Sequence, residues 1–217
     1  MTYDNLTIVF GTICLANAIV YVVAEWRNWR TIRWISKLTA STVFVILACA
    51  NGAADSAYGR LILLALLFSW VGDALLLSLR SSFLLAGIAA FFFAHIAFAA
   101  AFASQNLDSV WLFTSLVILT AAALAFIRWL WKYLTSFYKI AVPIYLAAIT
   151  VMTSLAIAVS VASFAPLLGV GAIAFAVSDV SVALNRFVER KIVNKIWGLP
   201  LYYLAQLMFA MSVLSRG

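Results

Sequence analysis

The stretch LLFSWVGDALLL, residues 66–77, places one carboxylate, Asp73, in the middle of a continuous apolar run. Such a run predicts a helix surrounded by lipid or by other helices, where a charged side chain costs on the order of 3 kcal/mol. A second run, IAFAVSDVSV at residues 173–182, carries Asp179 in the same way. Because ionisable residues are costly inside a membrane, we interpret both aspartates as candidates for a functional site.

The composition of the whole chain extends this interpretation. Of 217 residues, 67% are hydrophobic and 10% are charged, and the mean hydropathy is +1.12. Soluble domains carry about 25% charged residues, so we predict an all-α integral membrane protein. A net charge of +7 would suggest nucleic acid as the partner of a soluble protein. Here the Lys and Arg residues flank apolar runs, so we interpret them as topology signals and contacts to anionic lipids, and expect no nucleic acid.

Eight apolar runs are long enough, or nearly so, to cross the roughly 30 Å of hydrocarbon in a bilayer. We therefore predict a single domain over residues 1–217 with eight transmembrane helices and no cleaved signal peptide. The predicted spans are 6–24, 38–53, 58–79, 83–103, 109–128, 140–160, 164–185 and 199–214.

The Lys and Arg residues predict the orientation. Twelve of the fourteen follow the first, third, fifth and seventh runs, and only Arg60 and Arg216 lie on the other side. Because positive charge is retained in the cytoplasm, both termini are predicted to be non-cytoplasmic. The remaining acidic residues fall at run ends or in loops and are expected to be solvated: Asp4, Glu25, Asp55, Asp108 and Glu189.

The two halves of the chain resemble each other. Asp73 and Asp179 are 106 residues apart, and each precedes an arginine (Arg80 or Arg186) by seven residues. At 1.5 Å per residue, both aspartates lie about 10 Å from the cytoplasmic end of their helices. We predict a parallel 4+4 internal repeat, with halves of approximately 1–106 and 107–217, arranged around one cavity.

Further polar residues on the helices are candidates for that cavity. His95 is the only histidine and lies in the middle of a run, while Gln206, Tyr145 and Tyr202 lie on neighbouring runs. For His95 and the tyrosines, simple helix packing is an alternative. With no second histidine and with the two cysteines remote in pattern, we predict no metal site and no cofactor.

An ordered set of short motifs on successive helices resembles the YhhN-like transmembrane lysoplasmalogenase family. The resemblance covers roughly residues 37–210, and one departure is Leu38, where many relatives carry proline after the lysine. That departure concerns the start of the second helix and not the site. The motifs are VGDAL at 71–75, FFFAH at 91–95, PIY at 143–145, VSD at 177–179 and LAQ at 204–206.

The resemblance implies an enzyme that cleaves the vinyl ether bond of lysoplasmalogens with water. The products would be a fatty aldehyde and glycerophosphocholine or glycerophosphoethanolamine. Protonation of the vinyl carbon needs a carboxylic acid, whose uncharged form is favoured by burial, and a carboxylate to stabilise the resulting cation. Asp73 and Asp179 are the candidates for this pair, without assignment of which is the acid.

The resemblance also suggests supporting roles for other residues. We expect His95 and Gln206 to orient the water or the ether oxygen, and tyrosines such as Tyr145 and Tyr202 to line the substrate tunnel. Basic residues at the cytoplasmic mouth are expected to hold the lipid phosphate: Lys37, Arg80, Lys139 and Arg186.

Two other functions stay open at the level of sequence. A secondary transporter or proton-coupled carrier would use the same repeats and carboxylates, and a non-enzymatic lipid-binding protein would need neither aspartate. The compact chain favours a bacterial inner membrane as its location.

Overall fold

The computed structural model describes residues 3–78 and 80–214, and this part of the chain consists of helices and short connections without a strand. Two short segments extend the helices, a 3-10 turn at Trp131–Tyr133 and a π-helical segment at Leu184–Val188. The eight α-helices of the described residues are α1 Tyr3–Trp26, α2 Arg30–Ala50, α3 Ala57–Leu76, α4 Ser81–Ala103, α5 Ser109–Leu130, α6 Tyr138–Ala162, α7 Leu167–Ala183 and α8 Ile192–Ser212.

The number of helices agrees with the prediction, whereas two of the predicted boundaries are wrong. α2 begins at Arg30 instead of residue 38, and α8 begins at Ile192 instead of residue 199. Both extra segments contain charged residues, so a prediction from apolar runs left them outside the helices. Their charges are paired across helices, as in the Arg33 and Lys195 ion pairs with Glu25. Leu38 lies within the continuous α2 helix, so the departure from Lys-Pro does not interrupt it.

Seven helices in the described part of the chain are long and apolar enough to cross a membrane, from α1 to α7. The protein is therefore an integral membrane protein. α8 is not among these seven, so its crossing of the membrane as an eighth span stays a prediction, and ten of its residues are buried by neighbouring helices. A helix that is partly enclosed by protein can carry more polar residues than one that faces lipid all round.

Helices that are consecutive in the chain pack as pairs, and the pairs form one bundle. α1 packs on α2, α3 on α4, α5 on α6 and α7 on α8, while α4 also contacts α6 and α8 contacts α1, α2 and α3. α5 is the most exposed span. The centre contains an aromatic cluster in which Phe98 and Phe209 have ring centroids 4.5 Å apart. The internal repeat stays a prediction.

The junctions that carry most of the basic residues meet at one end of the bundle. Lys195 at the start of α8 bonds to Glu25 at the end of α1, and Tyr138 of α6 contacts the ring of Phe187 after α7. Glu25 was predicted to be solvated, but its side chain is only 12% exposed because three cations surround it. The placement of this end on the cytoplasmic side of the membrane stays a prediction. Arg216 and the side chain of Asp4 lie outside the described residues.

Candidate active site

A cavity of about 260 Å³ opens toward this basic end and is lined by seven of the eight helices, α5 being the exception. Both Asp73 of α3 and Asp179 of α7 line it. Most of the remaining lining is apolar, with leucine, isoleucine and aromatic side chains on α3, α4, α6 and α8. The cavity therefore contains two carboxyl groups within a mostly apolar lining.

Asp73 is 2% exposed and is surrounded by donors from two other helices. Its Oδ2 accepts hydrogen bonds from the Ser41 hydroxyl of α2 at 2.6 Å and from the Tyr202 hydroxyl of α8 at 2.7 Å. Its Oδ1 lies 3.0 Å from the Lys37 ammonium. An ionised carboxylate only accepts hydrogen bonds, and each of these three partners can donate one. The surroundings of Asp73 therefore suit a carboxylate.

Lys37 lies deeper than the predicted position at the cavity mouth. Its side chain is buried and faces Asp73, and its Nζ lies 5.8 Å from the centroid of the Tyr21 ring. Ser41 follows Lys37 by one helical turn, so both side chains lie on the same face of α2. Sequence reasoning missed Ser41, although its spacing from Lys37 was a usable signal.

Asp179 has a different environment, built by α4 and α6. Its Oδ2 lies 3.1 Å from Nε2 of His95 and accepts a hydrogen bond from the Tyr145 hydroxyl at 3.3 Å. His95 Nε2 is also 3.1 Å from the Tyr145 oxygen. The three groups thus converge around one oxygen, whereas Oδ1 of Asp179 makes no hydrogen bond within the described residues. Asp179 is 14% exposed, on its cavity side.

Aromatic rings connect the two carboxylate environments. The Phe91 ring meets Tyr202 at 5.8 Å between centroids, Tyr202 meets Phe175 at 5.5 Å, and Phe175 meets His95 at 4.6 Å. Gly72 beside Asp73 permits this arrangement, because a Cβ there would lie 2.6 Å from the Phe91 ring.

The predicted site residues separate into two groups in space. Asp73, Asp179, Lys37, Tyr145, Tyr202 and Arg186 line the cavity, with His95 buried directly behind Asp179. The others lie outside its lining. Gln206 is buried and donates to Ser69, the Lys139 ammonium lies 5.4 Å from the Trp131 ring centroid, and Arg80 precedes α4.

The cavity mouth contains two basic residues that sequence reasoning had treated only as topology signals. Arg190 and Lys195 line the cavity together with Asn185 of the π-helical segment. Within the described residues, His, Cys, Asp and Glu side chains do not gather in groups of three. The absence of a metal and of a cofactor stays a prediction.

Comparison with known proteins identifies the family of the chain. A model of the YhhN family matches residues 32–213, which include all ten of the predicted site residues. Searches among curated proteins and among solved structures gave no match. The match covers most of the chain and agrees with the resemblance seen in its motifs, so the protein belongs to the YhhN family.

Proposed function

We propose that this protein is an intramembrane hydrolase that cleaves the vinyl ether bond of lysoplasmalogens. Family membership supports this reaction class. The observation that carries the proposal is the presence of two carboxyl groups with unlike partners, Asp73 and Asp179, beside one apolar cavity. The bacterial inner membrane remains the proposed location.

The cavity suits a lipid with a single chain. Its apolar lining can contact the alkenyl chain, and its basic mouth can face a phosphate. The reacting bond of a lysoplasmalogen lies between these two parts, where the chain joins the glycerol. A substrate with its chain inside and its phosphate at the mouth would therefore bring the vinyl ether close to the aspartates.

Asp179 is the better candidate for the proton donor. Its Oδ2 is held by His95 and Tyr145, which leaves Oδ1 for the substrate. Transfer of a proton from Oδ1 to the vinyl carbon would give an oxocarbenium ion and leave Asp179 as a carboxylate. That carboxylate would then take a proton from the attacking water, which forms a hemiacetal. Return of this proton to the glycerol oxygen, together with transfer of the hemiacetal hydroxyl proton to Asp179, would release the alcohol and the aldehyde and restore the acid.

Asp73 is the better candidate for the permanent negative charge. A carboxylate beside the oxocarbenium ion stabilises it most strongly in a site of low dielectric. Lys37, Ser41 and Tyr202 hold the two Asp73 oxygens in place, so little reorganisation is needed when the cation forms.

The experiment is aldehyde release by the purified protein from lysoplasmalogen, beside the matched ester and saturated-ether lysolipids. We expect cleavage of the vinyl ether alone. We expect Asp179→Asn to lower kcat by about 10²-fold or more, the usual contribution of a general acid. Asp73→Asn is expected to lower kcat as well. Cleavage of the ester would identify a lysophospholipase, and binding of all three lipids without cleavage would favour the carrier alternative.

Two adjacent tyrosines provide a matched comparison. Tyr202→Phe removes a direct donor to Asp73, whereas Tyr203→Phe removes a hydroxyl outside the cavity lining that contacts the Lys37 carbonyl and the Ser41 hydroxyl but not Asp73 itself. Loss of a hydrogen bond to a charged group corresponds to about a ten-fold effect. We expect kcat to fall about ten-fold in Tyr202→Phe but not in Tyr203→Phe. Thermal midpoints of both variants are measured beside kcat. Equal activity losses in both variants would contradict the role of Tyr202.

A further inference from the structure

A second concave surface adjoins the mouth of the catalytic cavity, with a volume of about 510 Å³. We call it the basic vestibule. It is built from the end of α1, the start of α2 and the segment that joins α7 to α8. Its charged members are Glu25, Arg30, Arg33, Arg190, Lys191 and Lys195.

The vestibule carries an excess of positive charge, and three of its cations are held around a single carboxylate. Glu25 alone contacts three cations, at 2.7 Å from Arg33, 2.5 Å from Lys195 and 3.4 Å from Arg190. One carboxylate neutralises one of these charges and fixes the positions of all three. Topology signals alone require only that cations lie on the correct side of the membrane. Convergence from three chain segments into one concavity goes beyond that requirement.

Arg33 gives an independent indication of a ligand. Its side chain is 11% exposed, and its Nε is buried with no hydrogen-bond partner within the described residues. Buried N–H groups in proteins are normally satisfied, so such a donor indicates an acceptor that binds there. A guanidinium group matches the geometry of phosphate oxygens in particular.

The vestibule is continuous with the catalytic cavity. Asn185, Arg190 and Lys195 line both. The Tyr21 ring also connects the two, because the ammonium of Lys195 lies 5.7 Å from its centroid and that of Lys37, the partner of Asp73, lies 5.8 Å from it. The vestibule therefore opens into the part of the cavity that contains Lys37, the partner of Asp73.

We propose that the basic vestibule binds the phosphate group of the lysophospholipid substrate, with Arg33, Arg190 and Lys195 as its ligands. This assignment rests on the proposed function for the identity of the lipid. It moves the phosphate site away from Arg80 and Lys139, which lie outside both cavities. Glu25 acts as a positioning residue that holds the three cations together.

Binding of uncleavable ligands tests the vestibule separately from catalysis. The probes are a saturated-ether lysophosphoethanolamine, the same alkylglycerol without phosphate, and inorganic phosphate as a competitor. Affinities are measured with the full-length protein in detergent. We expect Arg33→Lys, which keeps the charge and the ion pair with Glu25 but removes Nε, to weaken the phospholipid about ten-fold. We expect no change for the alkylglycerol.

Two further variants complete the comparison. Arg190→Gln removes an exposed cation of the vestibule and is expected to cause a smaller loss of phospholipid affinity. Lys132→Gln removes a cation outside both cavities, beside the Tyr133 ring, and is expected to leave both affinities unchanged. Thermal midpoints equal to that of the wild type show that each variant is folded.

The outcomes separate this inference from the proposed function. Loss of phospholipid affinity in the vestibule variants alone supports the site, even if no vinyl ether is cleaved. If inorganic phosphate binds as tightly as the lipid and depends on the same residues, the site holds a phosphate but its source is the free anion. If Arg33→Lys and Arg190→Gln bind both lipids as the wild type does, the vestibule is not a phosphate site.

Discussion

At the scale of single residues, the unusual feature is an ion pair buried within a membrane bundle. Lys37 and Asp73 are both more than nine-tenths buried, and their charged atoms are 3.0 Å apart. Removing one partner of a buried pair leaves an uncompensated charge, whereas removing both is often nearly neutral. The pair therefore contributes to stability only as a unit.

Three variants of this ion pair test whether its two members are coupled. Lys37→Met is expected to lower the free energy of unfolding in detergent by about 3–5 kcal/mol. Addition of Asp73→Asn to Lys37→Met is expected to recover a large part of that loss, because the amide carries no charge. The measurement is a denaturant titration of the wild type, both single variants and the double variant.

The control is Lys132→Met, which removes an exposed lysine that makes no ion pair among the described residues. It is expected to change the free energy of unfolding by less than about 0.5 kcal/mol. Strict additivity of the two single substitutions at positions 37 and 73 would show that the ion pair does not couple them.

At the scale of helices, the sequence predicts the elements better than their ends. Apolar runs are sufficient to predict eight helices, since lipid requires continuous apolar sequence. The apolar runs did not include the first turns of α2 and α8, because charged residues there are paired with Glu25 on another helix. Such pairing depends on how the helices are rotated in the bundle. For the same reason, the sequence indicates Asp73 and Asp179 but not the ion pair of Asp73 with Lys37.

Close packing of α7 on α8 shapes one wall of the cavity that contains the two aspartates. Gly198 of α8 faces Ser181 of α7, and both line the cavity. A methyl group at Gly198 would overlap the Cβ and Oγ atoms of Ser181. Small residues at such contacts allow the backbones of membrane helices to approach closely.

We therefore expect Gly198→Ala to lower the free energy of unfolding by about 1–3 kcal/mol and to reduce activity, as overpacking forces the helices apart. Ser181→Gly in the same chain is expected to restore much of both, because it removes the overlapping atoms. Gly11→Ala is the matched control. No atom lies within 4 Å of its new Cβ, and alanine stabilises a helix interior by about 1 kcal/mol. Equal effects of Gly198→Ala and Gly11→Ala would contradict the proposed contact.

At the scale of the whole molecule, charge and cavity share one end of the bundle. The cavity that contains the two aspartates opens among Arg186, Arg190 and Lys195, and the vestibule adds Arg30 and Arg33. If this end is cytoplasmic, the substrate phosphate must come from the cytoplasmic leaflet. Orientation therefore decides which pool of lysolipid the proposed enzyme can reach.

Cysteine labelling in intact cells tests the orientation. Asp55 lies in the α2–α3 connection and Lys132 in the α5–α6 connection, and both are exposed. In a Cys49→Ser background, which removes the exposed native thiol, we expect a membrane-impermeant maleimide to label Asp55→Cys directly. We expect it to label Lys132→Cys only after the membrane is permeabilised, since positively charged connections are retained in the cytoplasm. The reverse pattern would place the basic vestibule outside the cell and make the outer leaflet the source of the substrate.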